Sequence, residues 1–233
     1  MTTPTAHPNL LSPNAFPLTA LGLLVLALAW ATPLQLCALA AGYTTGATAR
    51  HALTRFSPQT RAGPHAPELA TGLLWTLIAT LWQHNTIPTT WLPPLLTLTA
   101  LTVPLSLADF HTLHLPRALT IPLAILTPTT LLIPAPNRLL PILIGTTLFA
   151  LPHLALHLLT PTTLSRGDVI IAFPLGAIHG ALGPATILPA VLLAALTSLA
   201  LATTFPHRFT QGIPHAPGML AATTALALLH ATP

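Results

Sequence analysis

The chain has 233 residues, of which 52% are hydrophobic and only 4% charged: seven arginines, no lysine and three acids, Glu68, Asp109 and Asp168. A soluble domain carries about 25% charged residues, so this chain cannot cover a water-facing surface, and its mean hydropathy of +0.75 points to a lipid bilayer as its solvent. The positive balance comes from scarce acids and singly scattered arginines, which excludes a basic face for nucleic acid.

The chain opens on Met1 to Pro17, which has no positive charge and makes a poor signal peptide. The first apolar run therefore reads as a retained span. Eight runs follow in order: Leu18–Ala41, Leu69–Trp82, Trp91–Ala108, Ala118–Ile133, Leu139–Leu159, Val169–Leu182, Ala185–Thr204 and Pro214–His230. Each approaches the roughly 20 residues that cross a bilayer, although the second and sixth are short. The expected fold class is all-α, a polytopic membrane protein of about eight transmembrane helices forming a single domain over residues 1–233. The segment 42–68 reads as a short cytoplasmic loop. With 27 prolines, kinked helices are expected, with neighbouring helices and threonine hydroxyls satisfying the backbone groups that proline frees.

Loop parity sets the orientation. One side collects Arg50, Arg55, Arg61, Arg117, Arg166 and Arg208, and the other only Arg138. The positive-inside rule then places loops 42–68, 109–117, 160–168 and 205–213 in the cytoplasm and both termini outside. Asp109 and Asp168 fall on the same cytoplasmic side, each where a loop meets a helix. Acids at a membrane are costly and mark function by default. The bland alternative is that Asp168 caps a helix or pairs with Arg166, and that Asp109 pairs with Arg117.

As a pair, the two carboxyls would share one proton. One can act as general base on a water while the protonated partner polarises a carbonyl, the roles exchanging as the leaving group departs. Other hydrolase chemistries lack their residues. There is no lysine for a Ser–Lys dyad, no serine in a nucleophile elbow and no H-E-x-x-H helix. Cys37, the single cysteine, lies in an apolar run and can form neither an internal disulfide nor a zinc cluster.

Three stretches carry a resemblance. The first is Ser106-Leu-Ala-Asp109-Phe-His-Thr-Leu-His-Leu-Pro116-Arg-Ala-Leu119-Thr120. The second is Ser165-Arg166-Gly167-Asp168-Val169, followed by Ala172, Gly176 and Gly180. The third is Ile213-Pro214-His215-Ala216-Pro217. In order and spacing they resemble the type IV prepilin peptidases, membrane aspartic proteases of the GxGD group, over roughly residues 90–230. The resemblance implies Asp109 and Asp168 as catalytic residues, with Gly167, Arg166, Pro116, Pro214 and Pro217 as supporting motif positions. It also implies a prepilin-like or pseudopilin protein as substrate, cut at the cytoplasmic face of the cell membrane. Ser165 stands where the family has the first glycine, Ile170 where it has a lysine, and His215-Ala216 where it has Phe-Gly. The 42–68 segment has no cysteine and is too short for the zinc-binding insert of the bifunctional members. Peptidase activity is therefore expected without N-methylation, metal or cofactor. Two other readings stay open: a catalytically degenerate homologue that acts in pilin assembly, and a small proton-coupled transporter.

Several features read as structural. His153 and His157 have the i, i+4 spacing of a metal pair but no acidic or cysteine ligand near by. His111 and His114 flank the first Asp as loop residues that could also tune it. Trp75, Trp82 and Trp91 suggest an interfacial belt. Gly176 and Gly180 form a G-x-x-x-G that permits close helix packing.

Overall fold

In an apolar setting each backbone N–H and C=O must find its partner nearby, and helix is the simplest local solution. The computed structural model describes residues 31–60, 63, 65–160, 164–209 and 212–231. Among them are eight α-helices and no strand. In chain order these are α1 Pro33–Phe56, α2 Ala66–Gln83, α3 Leu92–Thr112, α4 Arg117–Leu132, α5 Leu139–Leu159, α6 Arg166–Leu182, α7 Ile187–Thr204 and α8 Ala216–His230. Three stretches, Thr89–Thr112, Pro136–Leu159 and Pro184–Thr204, are long and apolar enough to cross a membrane, while Arg117–Leu132 and Ala216–His230 are apolar but shorter. That agrees with a membrane location.

Helix α5 has the predicted ends, and α2, α4, α6, α7 and α8 differ from the predicted runs by less than a turn. The predicted run Leu18–Ala41 lies mostly outside the described residues, as does Arg61. The expected loop 42–68 is a correction, because α1 stays helical through Phe56. A capping box starts it: Gln35 N–H donates to Thr32 Oγ1, and Thr32 N–H donates back to Gln35 Oε1 at 2.9 Å, with Pro33 at the first helical position. The polar residues that suggested a loop turn inward on their own helix. Thr44 and Thr45 both donate to the Ala41 carbonyl. Gly42 and Gly46 face α2, where an added Cβ would lie 2.7 Å from Gly72 Cα and 2.5 Å from Glu68 Cα respectively. Arg50 pairs there with Glu68, which is 1% exposed.

Prolines 104, 122, 128, 152 and 174 sit inside helices without ending them. The threonines among the described residues do not serve the carbonyls these prolines free. Among the described residues their hydroxyls donate mostly three or four residues back, as Thr99 to Leu95, Thr102 to Leu98, Thr147 to Leu143 and Thr197 to Leu193. Each of these four hydroxyls is thus satisfied on its own helix. Trp91, expected in an interfacial belt, is buried at 4% exposure in the core.

Helix α6 is the hub, packed against α4, α5 and α8. Val169, Ile171, Ala172, Leu175 and Ile178 along it are buried. Its approach to α5 is backbone to backbone: a Cβ on Gly145 would stand 2.3 Å from Gly180 Cα, and one on Gly180 would stand 2.3 Å from the Pro141 carbonyl oxygen. In lipid, where apolar burial between helices gives little, such close backbone contact is a main source of association. The G-x-x-x-G of α6 therefore acts in packing. Helix α8 meets α7 in the same way, Gly218 lying against the Ala194 carbonyl.

Neither backbone at the α5–α6 crossing can yield to a methyl group. Gly145→Ala and Gly180→Ala should each destabilise the protein by about 1–3 kcal/mol, read as reduced thermal stability in detergent. Leu140→Ala on the exposed face of α5 should change it by less than about 0.5 kcal/mol.

Candidate active site

Asp109 lies in the last turn of α3, which continues to Thr112 instead of ending at Ala108 as expected. The turn closes when Leu113, in the left-handed region at φ 54°, donates its N–H to the Asp109 carbonyl at 2.8 Å. Leu115 and Pro116 then redirect the chain, and the Pro116 carbonyl accepts from Leu119 and Thr120 to start α4. Asp168 lies in the first turn of α6, not in the preceding loop. Ser165 caps that helix: Asp168 N–H donates to Ser165 Oγ at 3.2 Å, while Ser165 N–H and O–H donate to Asp168 Oδ2 at 3.0 and 2.8 Å. Part of the bland alternative thus holds, since one oxygen of Asp168 belongs to a capping box. The other oxygen, Oδ1, is buried with no hydrogen-bond partner. An orphaned buried polar atom costs about 1–3 kcal/mol, which a cap alone does not require.

The three quoted stretches meet here. Gly167 packs on the turn after α3, where an added Cβ would come within 2.8 Å of Leu115 Cβ. Ala216 N–H, at the start of α8, donates to Asp109 Oδ2 at 3.0 Å, and the His215 amide faces the same carboxylate. Asp109 and Asp168 are 2% and 3% exposed and lie within electrostatic range of each other. Pro214 is buried beside them, its carbonyl accepting from Ser198 Oγ at 3.4 Å, and Pro217 stands in the first turn of α8. Arg166 is exposed at the start of α6. Neither Arg166 nor Arg117 pairs with the two aspartates; among the described residues the ion pair formed is Arg50–Glu68.

Two of the motif departures have a local explanation. Ser165 has φ −76° and ψ 157°, an extended conformation open to any residue, so no glycine is needed there. Ala216 contributes its amide, and its methyl group is fully buried. Ile170 is half-buried along α6.

The histidines divide. His153 Nδ1 donates to the Phe149 carbonyl and His157 Nδ1 to the Leu164 carbonyl, each at 2.7 Å. Among the described residues no group of three or more metal-ligating side chains forms. His153 stands within electrostatic range of Asp168, and His114 of Asp109. His111 turns away to accept from Arg208 Nη2 at 2.8 Å.

Sequence reading missed the clamp around that contact. Arg208 lies 4.4 Å over the Phe110 ring, and Phe110 makes edge contacts with Phe205 and Phe209 at 5.7 and 5.4 Å between centroids. The clamp ties the segment after α7 to the end of α3. Three of only seven phenylalanines gathering in the segments expected as loops at one end of the helices was the available signal. His179 was missed as well. It is fully buried, its Nδ1 bonded to Thr186 Oγ1 at 3.0 Å and its Nε2 to Thr223 Oγ1 at 3.1 Å, with Phe149 stacked between it and His153. Thr186 donates its own hydrogen to the Gly183 carbonyl, so His179 carries its hydrogen on Nδ1 and Thr223 donates to Nε2.

The Gly167–Leu115 contact yields a paired test. Gly167→Ala should destabilise the protein by about 1–3 kcal/mol through overpacking. Adding Leu115→Ala should recover a good part of that loss, because the clash is with a side chain. Thermal unfolding of the single and double variants in detergent reads both effects.

Comparison with family models, with curated proteins and with solved structures finds no match to this chain.

Proposed function

We propose that the chain is a polytopic membrane aspartic endopeptidase that removes the leader from a prepilin-like or pseudopilin precursor at the cytoplasmic face, with Asp109 and Asp168 as its catalytic pair. One observation carries this reading: two of the three acids in the chain, from separate stretches that resemble the prepilin peptidases, are buried together with an unpartnered oxygen between the ends of α3 and α6. A transporter would place such groups nearer mid-span.

In the proposed reaction the ionised carboxylate takes a proton from water. The resulting hydroxide adds to the scissile carbonyl carbon while the protonated carboxyl gives its proton to the carbonyl oxygen. The gem-diol then collapses: the C–N bond breaks, the amine nitrogen takes a proton from the pair, and the diol returns one to it. One proton is again shared between the two. The substrate's basic leader stays in the cytoplasm and its apolar stem lies in the bilayer beside α6. No cofactor takes part in these steps.

The proposed topology has eight spans, with the acids on the arginine-rich side. Successive helices alternate so that the ends bearing Arg50, Arg55, Arg117, Arg166 and Arg208 fall together and Arg138 falls opposite. The Gly167–Leu115, Ala216–Asp109 and Arg208–His111 contacts support that arrangement, since each joins elements from one end.

Co-expression with a prepilin-like protein from the same genome, followed by gel shift, should show leader removal by the wild type. Asp109→Asn and Asp168→Asn should each reduce it by roughly a hundredfold or more. A well-expressed wild type that cuts none of several such precursors would turn the assignment to a non-catalytic assembly factor.

Topology is tested in a Cys37→Ala background with single cysteines replacing the exposed Arg117 and Arg138. A membrane-impermeant maleimide should reach Arg117→Cys only from the cytoplasmic side and Arg138→Cys only from the other. Labelling of both from one side would overturn the eight-span arrangement.

A further inference from the structure

The two aspartates are held by different kinds of donor. Asp109 ends a helix, where the exposed carbonyls of α3 disfavour negative charge, and it receives backbone amides from the start of α8. Asp168 begins a helix, where the free amides of α6 favour negative charge, and its Oδ2 receives both the amide and the hydroxyl of Ser165. Because the α8 amides also favour charge on Asp109, the backbone alone leaves the contest close. The Ser165 hydroxyl decides it. That hydroxyl accepts from Asp168 N–H at 3.2 Å and directs its hydrogen to Oδ2 at 2.8 Å, a hydrogen bond that strengthens when the acceptor is ionised. With Oδ2 engaged twice, the buried and unpartnered Oδ1 is the oxygen left to face water or the shared proton.

We propose that Ser165 is a positioning residue that makes the pair unequal: it holds Asp168 as the ionised base through Oδ2, and leaves Asp109 as the partner that carries the shared proton. The assignment of roles rests on the peptidase reading, but the inequality of the two carboxyls does not. In the reaction, Asp168 takes the water proton through Oδ1 while Asp109 protonates the carbonyl oxygen. Both carboxyls exchange states when the amine leaves.

Two measurements on the full chain test this. The first does not require turnover. An apolar carbodiimide reacts with protonated carboxyls in dry surroundings, and peptide mass spectrometry locates the adduct. In wild-type membranes Asp109 should be labelled at least roughly tenfold more than Asp168. Ser165→Ala should bring the two toward parity, and Ser165→Thr, which keeps the hydroxyl, should restore the wild-type ratio. Label absent from Asp109, label favouring Asp168 in the wild type, or a ratio untouched by Ser165→Ala would overturn the proposal.

The second measurement is leader removal. Ser165→Ala should lower kcat roughly tenfold or more with KM little changed, and Ser165→Thr should recover it. Ser165→Gly separates the cap from the hydroxyl, because glycine is nearly as good a helix cap: it should behave as Ser165→Ala does. Wild-type activity in Ser165→Gly would mean that capping alone matters, and would overturn the proposal. Unequal labelling without cleavage by the wild type would sink the peptidase reading and leave the inequality standing.

Discussion

The contact between Gly145 and Gly180 determines where α6 lies, and much else follows from it. With a Cβ on neither residue, α5 and α6 approach until backbone meets backbone. That fixes α6 in the middle of the helices, with α4 and α8 on its other faces. The N-terminus of α6 carries Asp168. Its position relative to the end of α3 is therefore set by a packing contact several turns away, and then refined by Gly167 against Leu115.

Around the two acids, the fold uses mostly backbone and neutral groups. Asp109 is met by an amide of α8, and Asp168 by its own capping serine. Among the described residues no arginine reaches either one. Arg208, in the segment after α7, is occupied by the Phe110 ring and His111. The contrast with Glu68 is informative. The third acid is equally buried, yet it is neutralised by Arg50, which is the ordinary fate of a buried carboxylate. Asp109 and Asp168 are denied that fate, and two carboxyls without a cation are suited to passing a proton.

How far the sequence could be read depended on how local each feature is. Helix α5 was legible at both ends because Pro136–Arg138 and the polar residues after Leu159 bound a predominantly apolar run. Helix α1 was not, since Thr44, Thr45 and Thr48 look like loop residues until their hydroxyls are seen to bond within the helix. The meeting of Asp109 and Asp168 was foreshadowed by arginine parity and the three motif stretches. Ser165 was visible only as a departure from a glycine pattern, because its backbone angles and its bonds to Asp168 appear only once α6 is built. The Phe110–Phe205–Phe209 cluster and the His179 network depend on contacts between distant segments, and no local pattern marks them.

The glycine contacts also govern how such a chain can diverge. Leu140, Leu143, Leu148 and Leu151 on the outer face of α5 are exposed and meet no partner of fixed shape, so any apolar residue of similar size serves there. Gly145, Gly176 and Gly180 have no acceptable replacement. A lineage under these rules can exchange most of its leucines, alanines and threonines and drift beyond recognisable likeness to its relatives. A handful of glycines and two aspartates would still hold the same positions in space.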